Sequence, residues 1–258
     1  MPELPEIETV KLQLQKFLVG QKLLGVKILN PKIVKSNLGI LLGKKVLGVE
    51  RLGKVLLINF GENLKLGFHF KMTGQLVWNG ERKSHTRVIF KFSQGTLKFN
   101  DQRLFAWVEI NPKFIDKLGP EPFDISESKF VEIFSKPKKA IKLAIMDQEK
   151  LSGVGNIYAN DALWEAEINP RTPCNKLTDN QLRLLLEKIK LVLKEGIKYG
   201  GATAADAKYI NLHGLGGHYQ EHFRVYDRAG NLCLRCKTKI KKFTMGGRGT
   251  YVCESCQK

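Results

Sequence analysis

The 258-residue chain carries 43 Lys and Arg against 25 Asp and Glu, a formal charge of +18, and 43% of it is apolar. That supports one large folded domain or two ordinary ones and excludes a disordered basic tail. Its longest apolar runs, such as Val55–Ile58 and Leu104–Val108, fall far short of the ~18 residues that cross a bilayer, and the N-terminus opens on acids and prolines, so neither a membrane span nor a secretory signal is expected.

In chain order, Pro5–Leu18 places Ile7, Val10, Leu14, Phe17 and Leu18 at helical spacing, predicting a leading helix. Short β-branched or aromatic runs follow: Val46–Glu50, Val55–Phe60, Leu66–Phe70, Val88–Phe92, Thr96–Asn100 and Phe105–Ile110. Turn candidates separate some of them, at Gly61-Glu62-Asn63, Asn79-Gly80 and Ser93-Gln94-Gly95, which predicts an antiparallel sandwich or barrel. Gly119-Pro120-Glu121-Pro122 reads as a hinge or linker. Beyond it helices are predicted over Ser128–Ser135, Lys138–Asp147 and Asn156–Glu167. A longer one starts at the capping pattern Thr178-Asp179-Asn180-Gln181 and stops at Gly200-Gly201. A Gly- and His-rich loop, Asn211–His218, precedes a Cys-bearing tail. The expected class is α+β and multidomain: 1–123 a β-sandwich with its helix, 124–228 helical, 229–258 a zinc β-hairpin.

The charge is spread along the chain. Before Phe123 there are 20 basic and 10 acidic residues, and from it onward 23 and 15, so the parts carry +10 and +8. Two basic bodies suit one polyanion, and such a field supplies fast encounter and non-specific affinity for nucleic acid. A solvated Lys-rich surface or an anionic-membrane binder would share this composition.

The cysteines give the sharpest spacing. Cys233-x2-Cys236 and Cys253-x2-Cys256 stand sixteen residues apart, which suits one tetrahedral, structural zinc ion with no open coordination position. The insert reads as strands on both sides of Met245-Gly246-Gly247, where a turn would project Arg248 toward phosphate or plain solvent. Cys174 reads as a small apolar residue. Gly153-Val154-Gly155-Asn156 opens a helix whose amides could meet an anion, though the same pattern also serves as a turn.

At the N-terminus, removal of Met1 would leave Pro2 with a free secondary amine, whose pKa near ~8 leaves a useful fraction unprotonated. Such an amine condenses with an aldehyde-level carbon to an iminium, with Glu3 alongside for proton transfer. Taken alone, the segment could equally be an acidic lead into a helix, with Glu6 and Glu8 in its first turn.

Together these motifs resemble the formamidopyrimidine-DNA glycosylases, the bacterial enzymes that remove 8-oxoguanine. The resemblance rests on Pro2-Glu3-Leu4-Pro5-Glu6-Ile7-Glu8, Arg51-Leu52-Gly53-Lys54, His69-Phe70-Lys71-Met72-Thr73-Gly74 and Asp101-Gln102-Arg103-Leu104-Phe105. It continues through Leu118–Pro122, Gly153-Val154-Gly155-Asn156-Ile157-Tyr158, Gly200-Gly201-Ala202-Thr203, Tyr219-Gln220 and Gly246-Gly247-Arg248-Gly249-Thr250, in the family's order.

The resemblance implies a β-sandwich, a helix–two-turn–helix domain and a zinc hairpin, with duplex DNA held between two bodies by a monomeric, cytoplasmic enzyme. Pro2 would attack C1′ of an extruded nucleotide and hold the sugar as an iminium, from which both phosphates leave by β,δ-elimination. Glu3 would assist base departure and Glu6 would support it. Lys54, His69, Arg103, Asn156 and Arg248 would hold phosphates, Lys54 and Arg248 also assisting their departure, and Tyr158, close to Asn156 in the chain, would also bind DNA. Met72, Arg103 and Phe105 would fill the void left by the extruded base, and Ala202–Tyr219 would close over it. The chain departs from the family at Gln102, Leu104 and Ala106, where a proline and one basic residue are lost, which puts loop stiffness in question. The family gives no expectation for His213 and His218 beyond solvated loop residues. The rival readings are an endonuclease VIII-like enzyme for oxidised pyrimidines, against which Leu4 and Glu8 speak, and a non-catalytic zinc-finger DNA-binding module.

Overall fold

The computed structural model describes residues 1–61, 63–203 and 209–258; the turn residue Glu62 and residues 204–208 of the expected capping loop lie outside the described residues. The chain forms two compact units, 1–116 with 196–220, and 117–195 with 221–258.

The first unit opens with α1 (Leu4–Leu18), which buries Leu4, Ile7, Val10, Leu14 and Leu18 on one stripe. Pro5 in its first turn lacks an N–H where none is needed, and Glu3 and Glu6 close a capping box. Among the described residues the unit has two four-stranded antiparallel sheets. One runs β1 (Leu23–Ile28), β6 (Thr86–Phe92), β7 (Gly95–Asp101), β5 (Gly74–Trp78). The other runs β2 (Gly48–Leu52), β3 (Val55–Asn59), β4 (Lys65–His69), β8 (Trp107–Ile110). Phe68 meets Phe90 and Phe99 edge to face, with centroids at 5.6 and 5.2 Å. Truncating such a ring to alanine costs about 3–5 kcal/mol. Tyr209 and Leu212, far downstream, belong to the same core.

In the second unit, α2 (Glu127–Phe134) buries Phe130 and Phe134. Helix α4 (Asn156–Glu165) is buried from Ile157 to Trp164, Asn160 and Asp161 included. Helix α5 (Asp179–Lys198) starts where Thr178 N–H donates to Gln181 Oε1 at 2.9 Å and Gln181 N–H to Thr178 Oγ1 at 3.3 Å. The finger is the hairpin β9 (Lys241–Met245) and β10 (Arg248–Val252), turned by Gly246 and Gly247 at φ 54° and 70°.

Three expectations need correction. Strands β1 and β5 lie outside the predicted runs; β1 is interrupted by a register shift between Leu23 and Gly25, which breaks its alternation. The helix expected over Lys138–Asp147 shrinks to α3 (Ile141–Ile145), because Ala140 bridges Pro173 and Lys139 C=O accepts from Cys174 N–H. The Pro-rich stretch is no free linker. Gly119 N–H donates to Gln148 C=O at 2.8 Å, Ser152 N–H donates to Pro120 C=O at 3.0 Å, and a Cβ on Gly119 would lie 2.6 Å from Glu149 O.

Candidate active site

Helix α1 presents the chain's first residues. Pro2 and Glu3 are buried, whereas Met1 is exposed. Glu6 is the hub of this end of the helix: its Oε2 accepts from Glu3 N–H at 2.7 Å, and its Oε1 accepts from Ala202 N–H at 2.7 Å. Tyr209 adds a bond from its hydroxyl to Glu6 C=O at 3.3 Å, and burial, then the nearby Glu6 charge, pushes its phenol pKa well up, so it stays a neutral donor. Gly201, at φ 85°, would bring a Cβ within 2.8 Å of Glu6 Cγ, so glycine is required for that approach.

Helix α1 is tied to the sheet by Arg51 Nε on Glu8 Oε2 at 2.8 Å. Burial raises the Glu8 carboxyl pKa, but hydrogen bonds and charges from Lys11 and Arg51 outweigh it and hold the group below the usual carboxylate range.

Lys54 lies in the two-residue turn between β2 and β3, next to Val55, and Val55 is paired with His69 on β4. This register brings the two expected phosphate residues together. Both are buried, His69 beside Trp107 and Phe114 with ring centroids at 5.5 and 5.8 Å. His69 Nδ1 accepts from Lys71 N–H at 3.0 Å, which leaves Nε2 to carry the hydrogen. Burial first, then Lys71, Lys54 and Lys35, depresses its pKa to about 3, so the ring is a neutral donor at physiological pH.

The loop after β7 carries Arg103 and Phe105, both exposed, with the guanidinium over the Phe105 ring at 4.8 Å. Its stiffness survives the missing proline. Buried Asp101 accepts from Ala106 N–H at 2.9 Å, from Arg103 N–H at 3.3 Å and from the Thr73 hydroxyl. Thr73 follows half-buried Met72, so one carboxylate joins the two segments expected to fill the vacated stack. The described part of the 202–219 segment is equally well held. Thr203 Oγ1 donates to Tyr209 C=O at 3.0 Å and accepts from Gly217 N–H at 2.9 Å, while Gln220 Oε1 takes Thr203 N–H at 2.9 Å. His213 and His218 are exposed.

In the second unit Asn156 opens α4 after Gly155 and Arg248 is exposed at the start of β10, but Tyr158, expected at the DNA, is fully buried in α4 and presents no surface to it. The four Sγ atoms of Cys233, Cys236, Cys253 and Cys256 lie within 4.8 Å of one another, at 3.8 Å for Cys233–Cys256 and 3.3 Å for Cys236–Cys253. Four thiolates around a tetrahedral zinc at ~2.3 Å stand about 3.8 Å apart, so the set fits that ion. Hydrogen bonds from the Thr238 side chain and backbone hold the Cys236 thiol at about 6, and Trp164 Nε1–H donates to Cys233 Sγ at 3.4 Å, orienting a ligand from outside. Cys174 is buried.

The sequence motifs include Ala202 and Thr203, and the Gly-rich loop Gly217, without giving them a supporting role, while Asn160 and Lys142 stand outside every motif. Only the Glu3-x-x-Glu6 capping spacing carries a readable signal, because the others act across long stretches of chain.

Family models match nearly end to end. The formamidopyrimidine-DNA glycosylase N-terminal domain covers 1–108, the H2TH domain of the same enzymes 118–208, and the zinc finger found in FPG and IleRS 230–258. A formamidopyrimidine-DNA glycosylase of Pelotomaculum thermopropionicum is 40% identical, over 100% of this chain and 99% of the relative. This chain belongs to the formamidopyrimidine-DNA glycosylase family. Two solved structures of the Lactococcus lactis glycosylase of this family cover both chains completely. A point mutant in complex with Fapy-dG-containing DNA is 34% identical with a TM-score of 0.92. The wild-type protein in complex with oxidised-pyrimidine-containing DNA is 34% identical with a TM-score of 0.90. The glycosylase finger holds one structural zinc ion through its four cysteines. Among the described residues no helix is long and apolar enough to cross a membrane.

Proposed function

We infer that the chain acts as its family does: it is a base-excision repair DNA glycosylase that removes oxidised purines from duplex DNA and cleaves the abasic site it creates. The observation that carries this reading is the latch at Glu6, which joins the amide of Glu3 to that of Ala202. A general nucleic-acid binder has no need of a fixed, buried N-terminus.

With Met1 removed, the Pro2 nitrogen attacks C1′ of the extruded nucleotide and the C1′–N bond to the base breaks. Loss of the amine proton and opening of the sugar ring leave a ring-opened iminium. Glu3 delivers a proton to the departing group and later accepts one. The iminium withdraws electrons from the adjacent carbon, whose proton is then lost as the 3′ phosphate departs, and a second elimination releases the 5′ phosphate. Glu6 acts through position alone. Lys54, His69, Arg103, Asn156 and Arg248 hold backbone phosphates, His69 as an uncharged donor, and Lys54 and Arg248 neutralise the phosphates as they leave. Met72, Arg103 and Phe105 stack in place of the lost base, and Tyr158, fully buried, helps to pack the helix that Asn156 opens. The division of labour follows 1–123, 124–228 and 229–258. The proposed setting is the bacterial cytoplasm, as a monomer, because the substrate is chromosomal DNA and the relatives are bacterial.

Borohydride trapping on an 8-oxoguanine:cytosine duplex tests the assignment. The covalent adduct is expected on Pro2. Adduct on a lysine, or none with zinc-loaded protein lacking Met1, would overturn it. Pro2→Gly should retain some trapping through a primary amine, and an N-terminal extension should abolish it. Oxidised pyrimidines remain a second substrate class, favoured by the L. lactis complex with such DNA.

A further inference from the structure

Strand β10 pairs with β9 alone among the described residues, so its other edge lacks a strand neighbour. Residues two apart present their backbone groups to the same edge. On that edge, two buried side chains replace the missing strand. Lys142 Nζ on α3 donates to Gly249 C=O at 3.0 Å and to Thr250 Oγ1 at 2.7 Å. Asn160 on α4 accepts from Tyr251 N–H through Oδ1 at 2.8 Å. The same Asn160 amide turns its Nδ2 to Asn156, donating to its C=O at 2.7 Å and to its Oδ1 at 3.3 Å.

Asparagine is a poor helix former, and an amide in a packed interior is tolerated only when its groups are satisfied. Asn160 is 1% exposed, and both its oxygen and its nitrogen are engaged. Its oxygen fixes the strand that carries Arg248, three residues before Tyr251. Its nitrogen occupies Asn156 Oδ1, so the Nδ2 of Asn156 is the end left to donate outward. Neighbouring Asp161 secures the approach to the finger by accepting from Val225 and Tyr226 N–H, each at 3.0 Å.

We propose that Asn160 is a positioning residue that presets Asn156 and Arg248 as one unit for gripping DNA phosphates. The proposal rests on the reading that these two residues contact phosphate. It makes the finger and the start of α4 one device joined through a single amide.

The test measures the binding of full-length, zinc-loaded protein to a duplex containing a tetrahydrofuran abasic-site analogue, with zinc content checked for every variant. Asn160→Leu is expected to weaken binding about tenfold, the consequence of stripping one partner from buried backbone and amide groups. It should also flatten the dependence of log affinity on log salt as Arg248→Ala does. The effect should largely vanish when Arg248→Ala and Asn156→Ala are already present, the non-additivity of groups acting as one. Asn160→Asp, which keeps an acceptor for Tyr251 N–H and loses the donor to Asn156, should retain the Arg248 share of affinity and show its loss only while Asn156 is intact. Wild-type affinity in Asn160→Leu, or an equal loss with and without Arg248 and Asn156, would overturn the proposal. Should Asn160→Leu fail to hold zinc, Asn160→Asp decides: an equal loss with and without Asn156 overturns the proposal. Unchanged affinity and salt slope in Arg248→Ala and Asn156→Ala themselves would remove the phosphate reading, and the proposal with it.

Discussion

Glu6 divides its two carboxylate oxygens between amides that lie almost two hundred residues apart, Glu3 and Ala202. A single side chain thereby fixes both the end of the chain proposed to react and the start of the segment expected to cover the lesion. His69 shows how a neighbourhood sets the state of one group. Unfolded, an imidazole binds a proton below about 6.5; folded, burial first and then the charges of Lys71, Lys54 and Lys35 keep it neutral down to about 3. Between those values the unfolded chain holds more protons, so this residue makes stability fall as the solution is acidified. His69→Gln should therefore flatten the pH dependence of the melting temperature between about 4 and 6.5; an unchanged slope would contradict the assignment. The Glu8 carboxyl works in the same sense, in a more acidic range. Its lowered pKa adds stability that is complete above the unfolded value of 4.5 and is lost as pH falls through the lower folded value. Arg51→Met should remove part of that acid-side loss, measured by the same unfolding series.

Among the elements, those with a strong period were legible in the sequence. Helices α1 and α5 and strands β3, β4, β6 and β7 lie where their apolar spacing predicts, to within a few residues, whereas α4, buried along almost its whole length, has no apolar stripe and follows the glycines that precede Asn156. Strand β1 was not, because its register shift at Gly25 erases the alternation, and α3 was overextended because backbone pairing of residues 139–140 with 173–174 outweighs local helix preference. The site divides the same way. Its motif residues stand out by type and spacing, while Thr203, Gly217 and Asn160 act through tertiary hydrogen bonds that no local pattern announces. Gly217 illustrates the cost of such a contact, since a Cβ there would lie 2.1 Å from Gly201 O. Gly217→Ala should destabilise by about 2 kcal/mol or more, by denaturant unfolding, and should slow base release in single-turnover assays. For the finger, chelation of zinc should expose the β9–β10 amides to hydrogen exchange and weaken duplex binding, both reversed by added zinc. Zinc-free protein that bound as tightly as the loaded form would contradict the role given to Arg248.

At the scale of the whole molecule the charge of +18 provides attraction without a choice of site. Of the five proposed phosphate contacts only Lys54, Arg103 and Arg248 are cationic, since His69 is neutral and Asn156 an amide, so log affinity is predicted to fall with log salt at a slope of about −3. A slope near that of a diffuse basic surface, unaltered by Lys54→Gln, would argue against those contacts. The core of the first unit has a longer reach along the chain. Tyr209 and Leu212 pack into the sandwich formed by the first 116 residues, and Leu212 C=O accepts from Trp78 N–H at 3.1 Å. On the ribosome, the segment proposed to carry the nucleophile therefore emerges long before Tyr209 and Leu212, which complete its scaffold. Until Ala202 has been added the nascent chain lacks the latch, so the proposed capacity to sever DNA waits on a residue almost two hundred positions downstream.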